Sequence, residues 1–237
     1  LPTISYGTFL SLEGGTVEYY PGSGSFYIDD NIATYCNLII HLGAVSQVMT
    51  VRRHLTIYGY MKVTQGTFQI NDATTVKRTI SIGGNLTVGA SGKITTGTGN
   101  TNTAGYSIAT VNLPPGGQFH SFYHELSIGG DFTNNGSVRF TNLTVPDYGE
   151  FASNGAVTVR FNGESNNTLT LNGITDFYNL IVDKGSDQTY ILTVNPSNIA
   201  NFALYGTNAC RRYEDPPFSQ DNPEVRKALW IKNGTLN

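Results

Sequence analysis

The phrase TISIGGNLTV occupies residues 79–88, and ELSIGGDFTN at residues 125–134 repeats it with the same pair of glycines. In the first copy, apolar side chains fall on every second position from Ile80 onward, and the second copy keeps this alternation from Leu126 onward. Strict alternation is typical of a β-strand with one buried face, whereas an amphipathic helix needs spacings of three and four. Both copies therefore predict strands.

Two further segments continue the pattern, HLTIYGYMKV with Leu55 in register and LWIKNGTLN beginning at Leu229. The spacings from Leu55 to Ile80, from Ile80 to Leu126 and from Leu126 to Leu229 are 25, 46 and 103 residues. These values are close to one, two and four units of about 23–26 residues, a period typical of solenoids. One such unit has room for three short strands and their turns.

A longer pair of motifs also recurs. GTVEYY and NLIIHLG lie within residues 15–43, and GAVTVRF and NLIVDKG lie within residues 155–185. The second motif recurs after 142 residues, close to six units, which places Asn37 and Asn179 in the same position before a Leu-Ile pair. We therefore predict that residues 1–237 form a single all-β domain, a parallel β-helix (β-solenoid) of about ten coils with three short strands per coil.

Glycine and asparagine are the predicted corner residues of this helix. A glycine in a strand marks a bend or a close backbone approach, and asparagine tolerates the left-handed conformation and can hydrogen-bond along a stack. The alternative is that both residues are simply common in loops. The candidates are Asn37, Asn179, Gly84 and Gly130. Two polar segments interrupt the repeats, near residues 96–118 and 206–228, and we expect irregular loops there.

Composition narrows the classes of partner. Charged residues make up 13% of the chain, about half of the usual share, which is typical of extracellular β-rich proteins. The net charge is −3 and no basic run exceeds two residues, which argues against a nucleic-acid partner. Apolar runs fall short of the roughly 18 residues of a membrane span. Both termini resemble the interior of a longer protein, so we expect neighbouring segments of that chain as partners.

The two cysteines leave two interpretations open. Cys36 is in phase with Leu38 and Ile40 and is expected to point into the core, whereas Cys210 lies in a polar segment. In an oxidising compartment they form a disulfide; otherwise Cys36 is a buried thiol and Cys210 an unrelated loop thiol.

No residue set predicts a catalytic or cofactor site. The candidate acids are scattered, with no second acid expected one coil away, and we interpret them as solvated turn residues: Asp29, Asp30, Asp131, Asp183 and Asp187. His120 and His124 have the spacing of a zinc pair on a helix, but on a strand they lie about 13 Å apart. We therefore expect no metal, no cofactor and no enzymatic activity.

Aromatic residues supply the candidate binding surface. Tyr58 and Tyr60 have the opposite parity from Ile57 and Met61, so we expect both rings to face outward, as a platform for a sugar or a partner protein. The alternative is that they stack on neighbouring strands along the helix.

The segments LTIYGYMKVTQGTFQIND and TISIGGNLTVGASGKI, with the motif pair above, resemble repeats of large secreted and surface proteins of Bacteroidetes, over roughly residues 11–95 and 120–205. The resemblance implies an adhesin-like β-helical stalk exported by the type IX secretion pathway. We therefore expect a secreted or cell-surface structural and binding segment, a rigid rod that presents loops and outer faces to a surface glycan or a protein. The alternative is a carbohydrate-active β-helix enzyme, resembling polysaccharide lyases or hydrolases, or a carbohydrate-binding module.

Overall fold

The computed structural model describes residues 8–20, 22–72, 78–97, 124–142, 144, 156–206 and 227–237. Strands account for 52% of the structure and helix for 2%. Every pairing between described strands is parallel, and the strands form two sheets that wind around a common core. The predicted all-β parallel β-helix is therefore confirmed.

The coils have three faces, because the thirteen-stranded sheet bends around two of them. The first face contains β1 (Thr16–Tyr19), β4 (Asn37–His41), β7 (Met61–Gln69), β9 (Leu86–Thr95), β11 (Phe132–Asn134), β14 (Asn167–Leu171), β17 (Ile191–Pro196) and β20 (Thr235–Leu236). The long strands β7 and β9 continue from the first face onto the second. The other strands of the second face are β2 (Phe26–Tyr27), β5 (Val48–Thr50), β12 (Ser137–Arg139), β15 (Thr175–Phe177) and β18 (Phe202–Leu204). A 3-10 helix (Ile199–Asn201) comes directly before β18.

The third face is the separate seven-stranded sheet. It contains β3 (Thr34–Tyr35), β6 (Leu55–Ile57), β8 (Thr79–Ile82), β10 (His124–Ile128), β13 (Val157–Phe161), β16 (Asn179–Asp183) and β19 (Leu229–Asn233). Leu55 pairs in register with Ile80, and Ile80 pairs with Leu126. The repeated phrase is therefore one strand position on one face, seen in successive coils.

The length of a coil varies more than the sequence spacing predicts. The 46 residues from Ile80 to Leu126 form one coil rather than two, because these residues are direct partners. The 103 residues from Leu126 to Leu229 form three coils rather than four. The expected constant period and the expected ten coils are both wrong: the described strands make seven coils. Long connections between strands add residues without adding a coil.

The two copies of the recurring motif pair also lie on different faces of the helix, contrary to what their spacing predicts. Asn37 begins β4 on the first face, whereas Asn179 begins β16 on the third face. Asn37 pairs with Thr16 of the preceding coil, and Asn179 pairs with Thr158 of the preceding coil. The two asparagines therefore do not stack, and the prediction that they share one position in the coil is wrong.

The core fills the space between the faces with aliphatic and aromatic side chains. On the third face, Leu180 and Val182 point inward and are fully buried. Their partners on β19, Leu229 and Ile231, point inward as well but are 38% and 46% exposed. No described strand pairs with the far edge of β19, so this coil has its apolar interior covered on one side only.

This difference in burial predicts a difference in the free energy of unfolding. Leu180→Ala removes a fully buried side chain and is expected to destabilise the chain by about 2–5 kcal/mol. Leu229→Ala, the same substitution one coil further on, is expected to cost less than half as much. Urea denaturation of the two variants measures both values, and equal losses would contradict the placement of β19 at an uncovered end.

Candidate binding face

The corner between the third and first faces is a place of close backbone contact. Gly84 N–H donates to Gly59 O at 2.9 Å, and Gly130 N–H donates to Gly84 O at 3.0 Å. A Cβ atom added to Gly84 would lie 2.8 Å from Gly59 O, and one added to Gly130 would lie 2.6 Å from the carbonyl carbon of Gly84. The paired glycines of the repeated phrase thus let successive coils approach at this corner.

Side-chain oxygens complete the hydrogen bonding at the same corner. At four points along the stack, an Asn or Asp side chain accepts a backbone N–H from the following coil. The bonds run from Tyr60 N to Asn37 Oδ1 (3.0 Å), Asp131 N to Asn85 Oδ1 (2.8 Å), Thr168 N to Asp131 Oδ1 (2.9 Å) and Ile191 N to Asn166 Oδ1 (2.8 Å). These bonds satisfy backbone donors where the coil turns out of its strand ladder.

Sequence reasoning named Asn37 but missed Asn85 and Asp131. Both follow the glycine pair in the repeated phrase, so the alignment of GGN with GGD was the signal for them. Asn179 is fully buried, but it lies at the corner between the second and third faces. Asp131 was interpreted as a solvated turn residue, whereas its side chain links two coils.

The glycine stack predicts which glycine tolerates a side chain. Gly130→Ala places a methyl group against backbone atoms that have no room to move, and we expect it to destabilise the chain by about 1–3 kcal/mol. Gly22→Ala is the matched control, because nothing lies within 4 Å of its added Cβ. The control is expected to change the free energy of unfolding by less than about 1 kcal/mol. Equal thermal stability of the two variants would contradict the close approach of the coils.

A fully buried lysine, Lys184, lies just beyond the end of β16 at this corner. Its Nζ donates to Asn162 O at 3.2 Å and to Asn167 Oδ1. Burial lowers the pKa of Lys184 below its ordinary value, and the negative charge of Asp131 opposes this shift only in part. The ammonium group therefore links its own coil to the preceding one, and its burial costs the hydration of the charge.

The lowered pKa of Lys184 makes stability depend on pH in the alkaline range. Between the pKa of the folded chain and the higher pKa of the unfolded chain, the unfolded state holds more protons, so raising the pH favours the folded state. We expect the free energy of unfolding of the wild type, relative to that of Lys184→Met, to increase as the pH rises toward about 10. Urea denaturation over a pH series measures this difference, and a constant or falling difference would contradict the shift.

The tyrosines of the predicted binding surface do not behave alike. Tyr58 is 40% exposed and lies just beyond the end of β6, in the connection to β7. The hydroxyl of Tyr60 instead lies 3.1 Å from Thr16 Oγ1 on the first coil, and Lys62 Nζ lies 4.8 Å from its ring centroid. Tyr60 therefore contacts neighbouring coils along the stack, which leaves Tyr58 as the more accessible ring of the pair.

The remaining predicted residues lie apart from one another. Cys36 is a buried free thiol near Leu12 O, and Cys210 lies outside the described residues. His124 is fully buried, and its Nδ1 accepts the Arg78 N–H at 2.9 Å; His120 lies outside the described residues. Within the described ranges, no group of three or more His, Cys, Asp or Glu side chains is arranged to hold a metal ion.

Among the candidate acids, three belong to turns on the surface. Asp29 accepts a hydrogen bond from Asn31 N, and Asp187 accepts one from Thr189 N, both at 2.8 Å. Asp30 Oδ2 lies 3.9 Å from Arg52 Nη1. These contacts are those of Asx turns and a weak surface ion pair, which stabilise local loop geometry.

Asp183 belongs instead to a polar network on the outer side of the third face. Its Oδ2 lies 2.5 Å from Arg160 Nη1 and 3.4 Å from Lys232 Nζ, and its Oδ1 accepts from Asn233 Nδ2 at 2.7 Å. Partial burial opposes ionisation of Asp183, but the Asn233 hydrogen bond and the two cations outweigh it and lower the pKa of its carboxyl. Trp230 lies beside this network, with Lys232 Nζ 5.5 Å from its ring centroid.

The same outer surface holds a cavity of about 210 Å³ at the beginnings of β8, β10 and β13. Two rows of outward residues cross it, because Thr79, Glu125 and Thr158 are successive register partners and Ser127 pairs with Arg160. The lining residues are Thr79, Glu125, Leu126, Ser127, Thr158, Arg160 and Asn162. We call this surface, from the cavity to Asp183 and Trp230, the polar face.

The longest connections in the chain all occur at one kind of corner, between a second-face strand and a third-face strand. Residues 70–78, 96–123, 140–156 and 205–228 all join the second face to the third. By contrast, one to seven residues join the third face to the first in each coil, the longest being residues 184–190. The described residues that follow two of these connections, Thr79 and Thr158, line the cavity. The irregular loops predicted near 96–118 and 206–228 lie almost entirely outside the described residues.

No protein-family model, curated protein or solved structure matches this chain. Among the helices of the described residues, none has the length and apolar character needed to cross a membrane.

Proposed function

We propose that this chain is a structural and binding segment of a secreted or cell-surface, adhesin-like protein. In this proposal the coils form a rigid support, and the polar face and the long connections beside it contact the partner. The chain then acts by holding a recognition surface in a fixed geometry.

The position of the longest connections in the chain, each between a second-face and a third-face strand, is the observation that supports this function most strongly. Seven coils of continuous parallel pairing hold the third face in place. Loops on a rigid scaffold are the usual location of recognition in solenoid proteins. The Arg160–Asp183–Lys232 network and Trp230 add charged and aromatic groups of the kinds that recur in binding surfaces.

The composition of the chain supports the extracellular part of the proposal. Only 13% of the residues are charged, and Asn, Thr, Ser and Gly supply much of the polar surface. At the corners, too, uncharged Asn side chains accept the backbone N–H groups of the following coil. These features fit a protein whose surface works outside the cell, together with the resemblance to bacterial surface repeats.

A binding assay on immobilised surface polysaccharides and extracellular-matrix proteins tests this function. We expect the folded chain to bind at least one of these probes. A variant in which residues 98–123 are replaced by a short Gly-Ser linker is expected to keep its β-sheet circular dichroism and to bind more weakly. The matched control replaces residues 22–25, a connection between the first and second faces, and is expected to bind normally.

Absence of binding to every probe by correctly folded chain would overturn the proposal. So would equal weakening by the two loop replacements, since the recognition surface would then not be at the corner between the second and third faces.

A further inference from the structure

The cavity on the polar face contains a polar atom that the fold itself does not use. Thr158 belongs to the same row of the cavity as Thr79 and Glu125, with Glu125 as its register partner on one side and Asn179 on the other. Its side chain points outward by parity, yet the residue is only 2% exposed. Its hydroxyl oxygen is buried and makes no hydrogen bond to any described residue.

A buried hydroxyl without a partner is unfavourable, and such groups in folded proteins call for an explanation. Valine has nearly the same shape as threonine and good strand propensity, so packing alone does not require a hydroxyl on β13. The neighbouring outward groups are also hydrogen-bonding groups, from Thr79, Ser127 and Asn162. The cavity is thus lined by groups that both donate and accept, with one of them buried and unsatisfied.

The charges around the cavity select the class of ligand. Glu125 contributes a carboxylate, and the Arg160 guanidinium is already paired with Asp183 at 2.5 Å. A carboxylate and a compensated cation disfavour an anionic ligand, whereas they can accept from and donate to alcohol groups. The volume of about 210 Å³ lies below the range of about 300–1,000 Å³ typical of sites for drug-sized molecules. A small neutral molecule with several hydroxyl groups matches both properties.

We propose that this cavity binds one residue of a neutral saccharide, with Thr158 Oγ1 hydrogen-bonded to a sugar hydroxyl. The Glu125 carboxylate accepts from neighbouring hydroxyls, and Ser127, Asn162 and Thr79 surround the ring. The inference rests on the proposed function, since it names the ligand class of the polar face.

Saturation-transfer NMR with a panel of neutral methyl glycosides tests the proposal on the full chain. We expect at least one methyl glycoside to bind the wild type. Thr158→Val removes the hydroxyl with little change of shape and is expected to weaken binding about tenfold, as loss of a buried hydrogen bond does. Thr56→Val makes the same substitution on the outer side of β6, away from the cavity, and is expected to bind as the wild type does.

Urea denaturation of the same variants supplies the second measurement. Thr158→Val is expected to be at least as stable as the wild type, because an unsatisfied buried hydroxyl is replaced by a methyl group. Lost binding together with retained stability would assign Thr158 to ligand recognition.

Binding of none of the glycosides by folded wild type would overturn the proposal, and so would equal binding by Thr158→Val and Thr56→Val. Either result leaves the proposed function standing if the chain still binds a matrix protein through its long connections. Glycoside binding is expected to survive replacement of residues 98–123, because none of the residues that line the cavity belongs to that segment.

Discussion

The turn from one strand to the next, three times in every coil, is the constraint on which this structure depends. Within a strand, parallel pairing satisfies the backbone, but at each corner the backbone leaves the ladder while the neighbouring coil lies directly against it. The corner between the third and first faces meets this constraint with two residue types. Glycines such as Gly84 and Gly130 permit the contact, and side chains such as Asn85 and Asp131 accept the exposed N–H groups.

The corners of the coils differ in the length of the connections between their strands. At the glycine-lined corner, connections are short and the side-chain ladder holds the coils in register. At the corner between the second and third faces, the number of intervening residues varies widely: Ile80 and Leu126 are direct partners although residues 96–123 lie between β9 and β10 in the chain. One corner of the fold therefore has uniformly short connections, whereas another has connections of very different length.

The strands were predictable from sequence because alternation of apolar residues records which face is buried. The repeated phrase identified four positions on the third face correctly, at Leu55, Ile80, Leu126 and Leu229. Coil count was not predictable, because a spacing of 46 residues has no mark that separates two short coils from one long coil. The position of Asn179 was predicted wrongly for a related reason. The same motif occurs on two different faces, because strands on every face bury one side against the same core.

The polar face was also beyond the reach of sequence reasoning. Arg160 and Asp183 are 23 residues apart, and their contact depends on the register of β13 with β16. The unsatisfied hydroxyl of Thr158 cannot be distinguished in sequence from any other outward threonine. Tyr58 is 40% exposed, but strand parity is not the reason, because this residue follows the end of β6 and lies in the connection to β7.

Disulfide trapping between coils tests the central claim most directly. Ser127 Oγ lies 3.2 Å from Ser81 Oγ, and adjacent strands are about 4.8 Å apart, within the range that a disulfide can span. In a background with both native cysteines replaced by alanine, Ser81→Cys with Ser127→Cys is expected to form a disulfide readily. Thr56→Cys with Ser127→Cys, two coils apart, is expected to form none. Absence of the first disulfide, or efficient formation of the second, would contradict the one-coil stacking of the repeated phrase.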